Sequence, residues 1–234
     1  MRTAVVGVSV ASAAGLMAYA VRGRTSTVFG PSVCRGVEWR RSVALTFDDG
    51  PSESSPLILD ILSKHRARAT FFQCGANIRR IPSVAREVEA AGHEIGNHSD
   101  SHPLSCLQSP RSILDEFQCA QETIESALGV RPALLRAPFG VRWFGFREMQ
   151  RRLNLMGVMW TVLGNDWSLP PEAIATRVLA RIRPGAIVCL HDGRELRNLP
   201  DIRATVEAVR RIVPALSARG YHFETVSEIL CPTN

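Results

Sequence analysis

Short apolar runs alternate along this chain with longer stretches in which apolar residues recur every third or fourth position. Residues 42–47 read as a first strand. Leu57, Ile58, Ile61 and Leu62 then fall at helical spacing within 55–65. The pattern continues with strands over 69–73, 93–96, 133–135, 157–162, 186–190 and 222–225. Helices are predicted over 83–91, 110–128, 144–153, 171–182 and 202–218. Gly92, Gly129 and Gly220 stand at or near the ends of three of them, where a left-handed cap is needed. Such alternation predicts an α/β chain of about seven parallel strands joined by right-handed crossovers, as a barrel or as an open doubly wound sheet. Polar residues gather just after the strand ends, at 48–50, 98–102, 136–140, 165–167 and 191–192, the rim where barrel enzymes carry their sites.

Residues 3–21 carry no charge, follow Arg2, and contain Ala18-Tyr19-Ala20. A signal peptide has this form, and a membrane anchor of about twenty apolar residues does too. Arg22 and Arg24 follow at once, which weakens the cleavage reading and blurs the orientation of an anchor. Residues 1–22 are therefore expected to be a signal peptide or anchor, 23–40 a linker, and 41–230 the catalytic domain, located outside the cytoplasm.

Hydrophobic residues make up 45% of the 234, enough for one full core rather than a disordered chain. The net charge is +6, and Lys64 is the only lysine. The arginines are scattered, with no basic stripe carrying interleaved aromatics, which argues against nucleic acid as a partner. The six cysteines include no C-x-x-C pair, so a thiolate zinc cluster is not expected.

Asp48 and Asp49 end the run Leu45-Thr46-Phe47 and precede Gly50-Pro51. Adjacent carboxylates disfavour joint ionisation unless a cation or donor holds them, and a pair sharing one site requires a bend in the strand. His98 and His102 are four apart, close enough to reach one metal from a tight turn. With Asp49 they make a set of two imidazoles and one carboxylate, suited to zinc or another divalent transition metal such as cobalt. Arg136 stands at a strand end with a carboxylate to hold. Asp166 and Trp167 follow another strand, and His191 directly follows the apolar run 187–190, where it can protonate a leaving group.

These five segments, in this order, resemble the polysaccharide deacetylase family, the carbohydrate esterases of family four with a NodB homology domain. The resemblance covers roughly residues 40–230. It implies a distorted (β/α) barrel and metal-dependent removal of acetyl groups from sugars, with an acetylated glycan such as peptidoglycan or a chitin-like polymer as partner. By position it implies Asp48 as general base and Asp49, His98 and His102 as metal ligands. It further implies Arg136 as the residue orienting the base, Asp166 as the acid tuning the catalytic histidine, and His191 as general acid. Trp167 and Leu190 match walls of the acetyl pocket. Phe139 stands where the family usually has tyrosine, and Leu163 where the fourth motif often has a further aspartate. An O-acetyl esterase, a deacylase of a lipid-linked sugar and a glycan-binding module without catalysis are the alternative readings.

Overall fold

The computed structural model describes residues 13–231. The apolar segment read over 3–21 begins among residues 1–12, outside the described residues; residues 13–22 are helical (α1). No helix among the described residues is long and apolar enough to cross a membrane.

The strands are β1 (Ser32–Val33), β2 (Ser42–Gly50), β3 (Thr70–Gln73), β4 (Glu94–Asn97), β5 (Leu134–Leu135), β6 (Met156–Val158), β7 (Val162–Leu163), β8 (Ala186–His191) and β9 (His222–Phe223). The helices that follow α1 are α2 (Ser55–Lys64), α3 (Gly75–Arg80), α4 (Pro82–Ala90), α5 (Pro110–Leu128), α6 (Phe146–Leu153), α7 (Pro171–Arg181), α8 (Arg203–Ala218) and α9 (Val226–Leu230). Eight strands pair in the order β1-β6-β5-β4-β3-β2-β8-β7, β9 adds to β2, and every ladder is parallel. The sheet curls into an incomplete barrel, and no ladder among the described residues joins β1 to β7.

The strand count exceeds the expected seven for two local reasons. Residues 157–162, expected as one strand, divide into β6 and β7. The Met159 N–H bonds to the Val33 carbonyl while the Thr161 N–H bonds to the Ile187 carbonyl, so the chain crosses the open seam between them. The stretch 23–40, expected as a linker, holds β1 and is stitched to the domain. The Gly36 N–H donates to the Gly185 carbonyl, and the buried Arg142 guanidinium donates to the Ser26 and Gly23 carbonyls. Its Gly, Ser and Pro content carries no strand periodicity, which hid the pairing.

Strand alternation sorts the core into two layers. Val43, Leu45 and Phe47 of β2, with Val188 and Leu190 of β8, face outward against Ile58 of α2, Val178 of α7 and Val209 of α8. Ala44, Phe72, Leu134, Val158 and Ile187 face inward, where Val226 and Ile229 of α9 plug the barrel. A capping box starts α9: the Thr225 hydroxyl accepts from the Glu228 N–H, and the Glu228 carboxylate accepts from the Thr225 N–H. The rim beyond this plug is left to polar side chains.

Candidate active site

The inward parity of β2 places Asp48 level with Phe72 on β3 and His191 on β8. Asp49 would by alternation point the other way. Its φ of 70° and the register shift between Asp48 and Gly50 turn its carboxylate back to the same rim. Both neighbouring glycines serve this bend. A Cβ on Gly50 would run into the Asp192 carboxylate, and one on Gly193 into the Asp49 carbonyl. The bend that two adjacent acids demand is therefore present.

Asp49 Oδ1 lies 3.2 Å from His98 Nε2 and 3.1 Å from His102 Nε2. His98 Nδ1 lies 2.8 Å from the Arg136 carbonyl, which can only accept, so Nδ1 carries the proton. In the neutral ring Nε2 then presents a lone pair to a carboxylate oxygen. Two acceptors in contact require a cation or a proton between them. The spacings are close to the edge of roughly 3.3 Å expected for a tetrahedral ion with bonds of about 2.0–2.1 Å. Asp49 Oδ2 accepts from the Glu195 N–H at 2.9 Å, and the Asn77 amide holds the Asp49 carbonyl at 2.8 Å. With no cation present, burial opposes charge on Asp49, but a proton on Nε2 of His102 or His98 supplies hydrogen bonds that outweigh it and hold the carboxyl well below the usual carboxylate range. His102 sits in the left-handed region, φ 56°, and its buried Nδ1 has no hydrogen-bond partner among the described residues. The three residues fit a divalent metal by donor type and spacing, and His98 by its tautomer as well.

Asp48 is held differently. Its Oδ1 accepts from Arg136 Nη1 at 2.7 Å and its Oδ2 lies 3.4 Å from Cys189 Sγ. Arg136 is 0% exposed. Its other donors reach the Thr46 hydroxyl at 2.6 Å and the Val158 and Met159 carbonyls at 3.2 and 3.4 Å, and its Cζ lies 4.2 Å from the centroid of the Phe72 ring. A buried charge so fully satisfied keeps Asp48 oriented and away from the imidazoles.

On the far side His191 Nδ1 lies 2.8 Å from Asp166 Oδ1. Asp166 Oδ2 accepts from the His191 N–H at 2.9 Å and from the Thr205 hydroxyl at 2.6 Å. Burial works against a charged ring, yet the Asp166 charge and hydrogen bond, backed by Asp49 and Asp48, push His191 up to about 9. The ring is thus poised as a proton donor with Nε2 left for the cavity.

These groups line one cavity of about 630 Å³. Phe139, 44% exposed, stands edge-on to His102 at 4.6 Å, and Trp167, 52% exposed, stands edge-on to His191 at 5.3 Å. Phe139 adopts φ 57°, a left-handed conformation of the kind that recurs where function fixes the backbone. Leu190, expected as a pocket wall, does not line the cavity. Its odd place in β8 turns it outward into the helix layer, and Cys189 faces the cavity instead. The sequence reading missed Cys189, Thr205, Asn77 and the backbone of Glu195. The parity of β8 could have found Cys189; no local signal marks the others.

An acid held by a guanidinium and a histidine held by an acid, set on either side of three residues that fit a cation, suit the hydrolysis of an acyl–heteroatom bond. Residues 36–158 match the family model described as polysaccharide deacetylase. The chain is 38% identical to a chitooligosaccharide deacetylase of Bradyrhizobium sp. (strain ANU 289), over 82% of this chain and 92% of that protein. It is 34% identical to a peptidoglycan-N-acetylglucosamine deacetylase of Bacillus cereus, over 80% of this chain and 87% of that protein. Among solved structures, a peptidoglycan N-acetylglucosamine deacetylase superposes with a TM-score of 0.79 at 30% identity, covering 84% of this chain and 91% of that one. The chain belongs to the polysaccharide deacetylase family and is an enzyme of that hydrolase class. A Bacillus anthracis pseudoenzyme of the same family also superposes, with a TM-score of 0.78 at 29% identity, covering 87% of this chain and 70% of that one. The fold alone therefore does not decide activity, and the side chains at the rim must.

Proposed function

We propose that this enzyme removes the N-acetyl group from N-acetylglucosamine units of a glycan, peptidoglycan or a chitin-like chain, with a divalent metal held by Asp49, His98 and His102. Zinc suits this set of one carboxylate and two imidazoles. When bound, the ion supplies Lewis acidity toward the acetyl carbonyl and the attacking water. Asp48, ion-paired to Arg136 rather than to the imidazoles, takes the proton of that water. The backbone N–H of Phe139, a residue fixed in the left-handed conformation, is the group we assign to the developing oxyanion. His191, kept charged by Asp166, delivers a proton to the departing amine. Trp167 and Phe139 flank the acetyl group.

The observation that carries this reading is the different treatment of two adjacent acids. Asp49 meets two imidazoles and Asp48 meets a buried guanidinium, so the pair splits into ligand and base. The test is acetate release from chitooligosaccharides and peptidoglycan fragments by metal-stripped and metal-restored protein. An Asp48→Asn variant is expected to bind metal as the parent does and to lose turnover. Metal-independent release, or an active Asp48→Asn variant, would overturn the assignment. The uncharged run 3–21 supports a location outside the cytoplasm, with that segment as signal peptide or anchor; a reporter fused after residue 40 and assayed for export tests it.

A further inference from the structure

A second cavity, of about 930 Å³, opens at the seam where the ladder stops between β1 and β7. Trp160 and Leu163 wall both cavities, so the second lies directly beside the active site. Five arginines face it: Arg24 after α1, Arg35 after β1, and Arg177, Arg181 and Arg183 from α7 and its exit. Of these, Arg35 pairs with Glu38. Arg24, Arg177, Arg181 and Arg183 have no carboxylate of the described residues within the 4.0 Å that defines an ion pair. Their side-chain hydrogen bonds go to backbone carbonyls: Arg24 to Thr161, Arg177 to Leu163, Arg181 to Arg177 and Arg183 to Ile182. Other exposed arginines divide: Arg79 pairs with Asp100, Arg203 with Asp201 and Arg211 with Glu172, whereas Arg86, Arg147 and Arg219 bond to backbone carbonyls; Arg24, Arg177, Arg181 and Arg183 are set apart by lining one cavity together.

A concave cluster of five guanidinium groups against one carboxylate focuses a positive field. Guanidinium forks match phosphate oxygens two at a time. A lone carboxylate would leave most of this charge unanswered, whereas a pyrophosphate answers much of it. A neutral chitin-like chain needs none of it. The shared wall of Trp160 and Leu163 puts an anion held here next to a sugar at Asp48 and His191, close enough for one molecule to carry both. Tyr19, from the apolar run that ends in α1, lines the cavity too, a surrounding suited to an anion attached to a lipid.

We propose that this cavity binds the phosphate or pyrophosphate of a glycosyl-phosphate substrate, so that the acetylated amino sugar reaches the catalytic rim phosphate-linked. The proposal rests on the deacetylase reading and names its substrate class. The experiment uses the full chain, metal-loaded, and an Arg181→Gln/Arg183→Gln variant at two exposed positions. Inorganic pyrophosphate is titrated calorimetrically at low and moderate salt. Acetate release is followed from neutral chitotetraose and from a short-chain lipid pyrophosphate of N-acetylglucosamine. Expected are pyrophosphate binding that the variant weakens at least tenfold, and a matching loss of kcat/KM on the lipid pyrophosphate. Chitotetraose turnover, the control on the fold, stays within twofold. Equal pyrophosphate binding by parent and variant, or equal loss on both substrates, overturns the proposal. Vesicles of phosphatidylglycerol and of phosphatidylcholine form a separate arm. Loss of binding to the anionic vesicles alone, with lipid pyrophosphate turnover kept, assigns the arginines to membrane headgroups and also overturns it. Absence of acetate from every substrate, with pyrophosphate binding still sensitive to the variant, sinks the deacetylase reading and leaves the anion site standing.

Discussion

Replacing Asp166 with asparagine isolates the proton-donating half of the site. Asp166 touches neither the cation cage nor Asp48 in the hydrogen-bond pattern; it holds His191 through Nδ1 and the backbone N–H, and accepts from Thr205. Its charge is the chief reason that His191 rises from 6.5 to about 9 against the opposing effect of burial. A rise of that size corresponds to roughly 3 kcal/mol favouring the charged ring in the folded state. A histidine raised on folding contributes stability that is present in full below about 6.5 and is lost as pH rises through about 9. The substituted asparagine keeps the shape but carries no charge, and its NH2 meets at least one donor whichever oxygen it replaces. In metal-stripped protein, the His191 ring resonances are expected to titrate near 9 in the parent and at or below 6.5 in the variant. Chemical denaturation should show the variant's stability deficit on the acid side shrinking by up to roughly 3 kcal/mol on the alkaline side. The alkaline limb of kcat should move to lower pH. A parent ring titrating at or below 6.5, or a variant whose alkaline limb stays in place, would refute the reasoning.

Four further outcomes are expected. Arg136→Met strands the buried Asp48 and should cost about 3–5 kcal/mol in urea unfolding, with Asp48→Asn/Arg136→Met recovering part of it; additive losses would contradict the pairing. Leu190→Ala should lose about 2–5 kcal/mol of stability while KM for the glycan holds, because that side chain faces the helices; a KM change with stability intact would restore it to the pocket. Gly193→Ala should push on the Asp49 carbonyl and reduce metal retention on dialysis, read by elemental analysis. His102→Ala should lose both metal and acetate release, with imidazole in the buffer restoring some of each.

Seven of the nine strands and six of the helices were legible, the longer ones because each carries its own periodicity and the two-residue β5 and β9 because they fall within apolar runs between helices. The helix over 110–128 is bounded as expected, with Ser109 capping one end and Gly129, φ 71°, the other. The two-residue β1 and the split at 158–162 depend on partners far away, so no window of local sequence contains them. The side chains that gather at the rim were legible because acids, imidazoles and an arginine at strand ends have few structural uses there. Leu190 misled because it adjoins His191 in sequence, while adjacency along a strand means opposite faces. Thr205 orders Asp166 from a helix that begins some forty residues later, and its residue type signals nothing.

Asp48 has a consequence for how the enzyme is born. Its two carboxylate oxygens are engaged by Arg136 and Cys189, which lie 88 and 141 positions further along the chain. The β2–β8 ladder that supports this arrangement joins the first long strand to one of the last. Pairings so remote in sequence form slowly, because loop closure must precede any gain from the contact. An emerging chain thus carries Asp49, His98 and His102 well before Asp48 is anchored. Yet His98 Nδ1 rests on the Arg136 carbonyl and Asp49 Oδ2 on the Glu195 N–H, so the cation cage awaits the same late pairings, and ion capture and chemical competence should appear together during refolding.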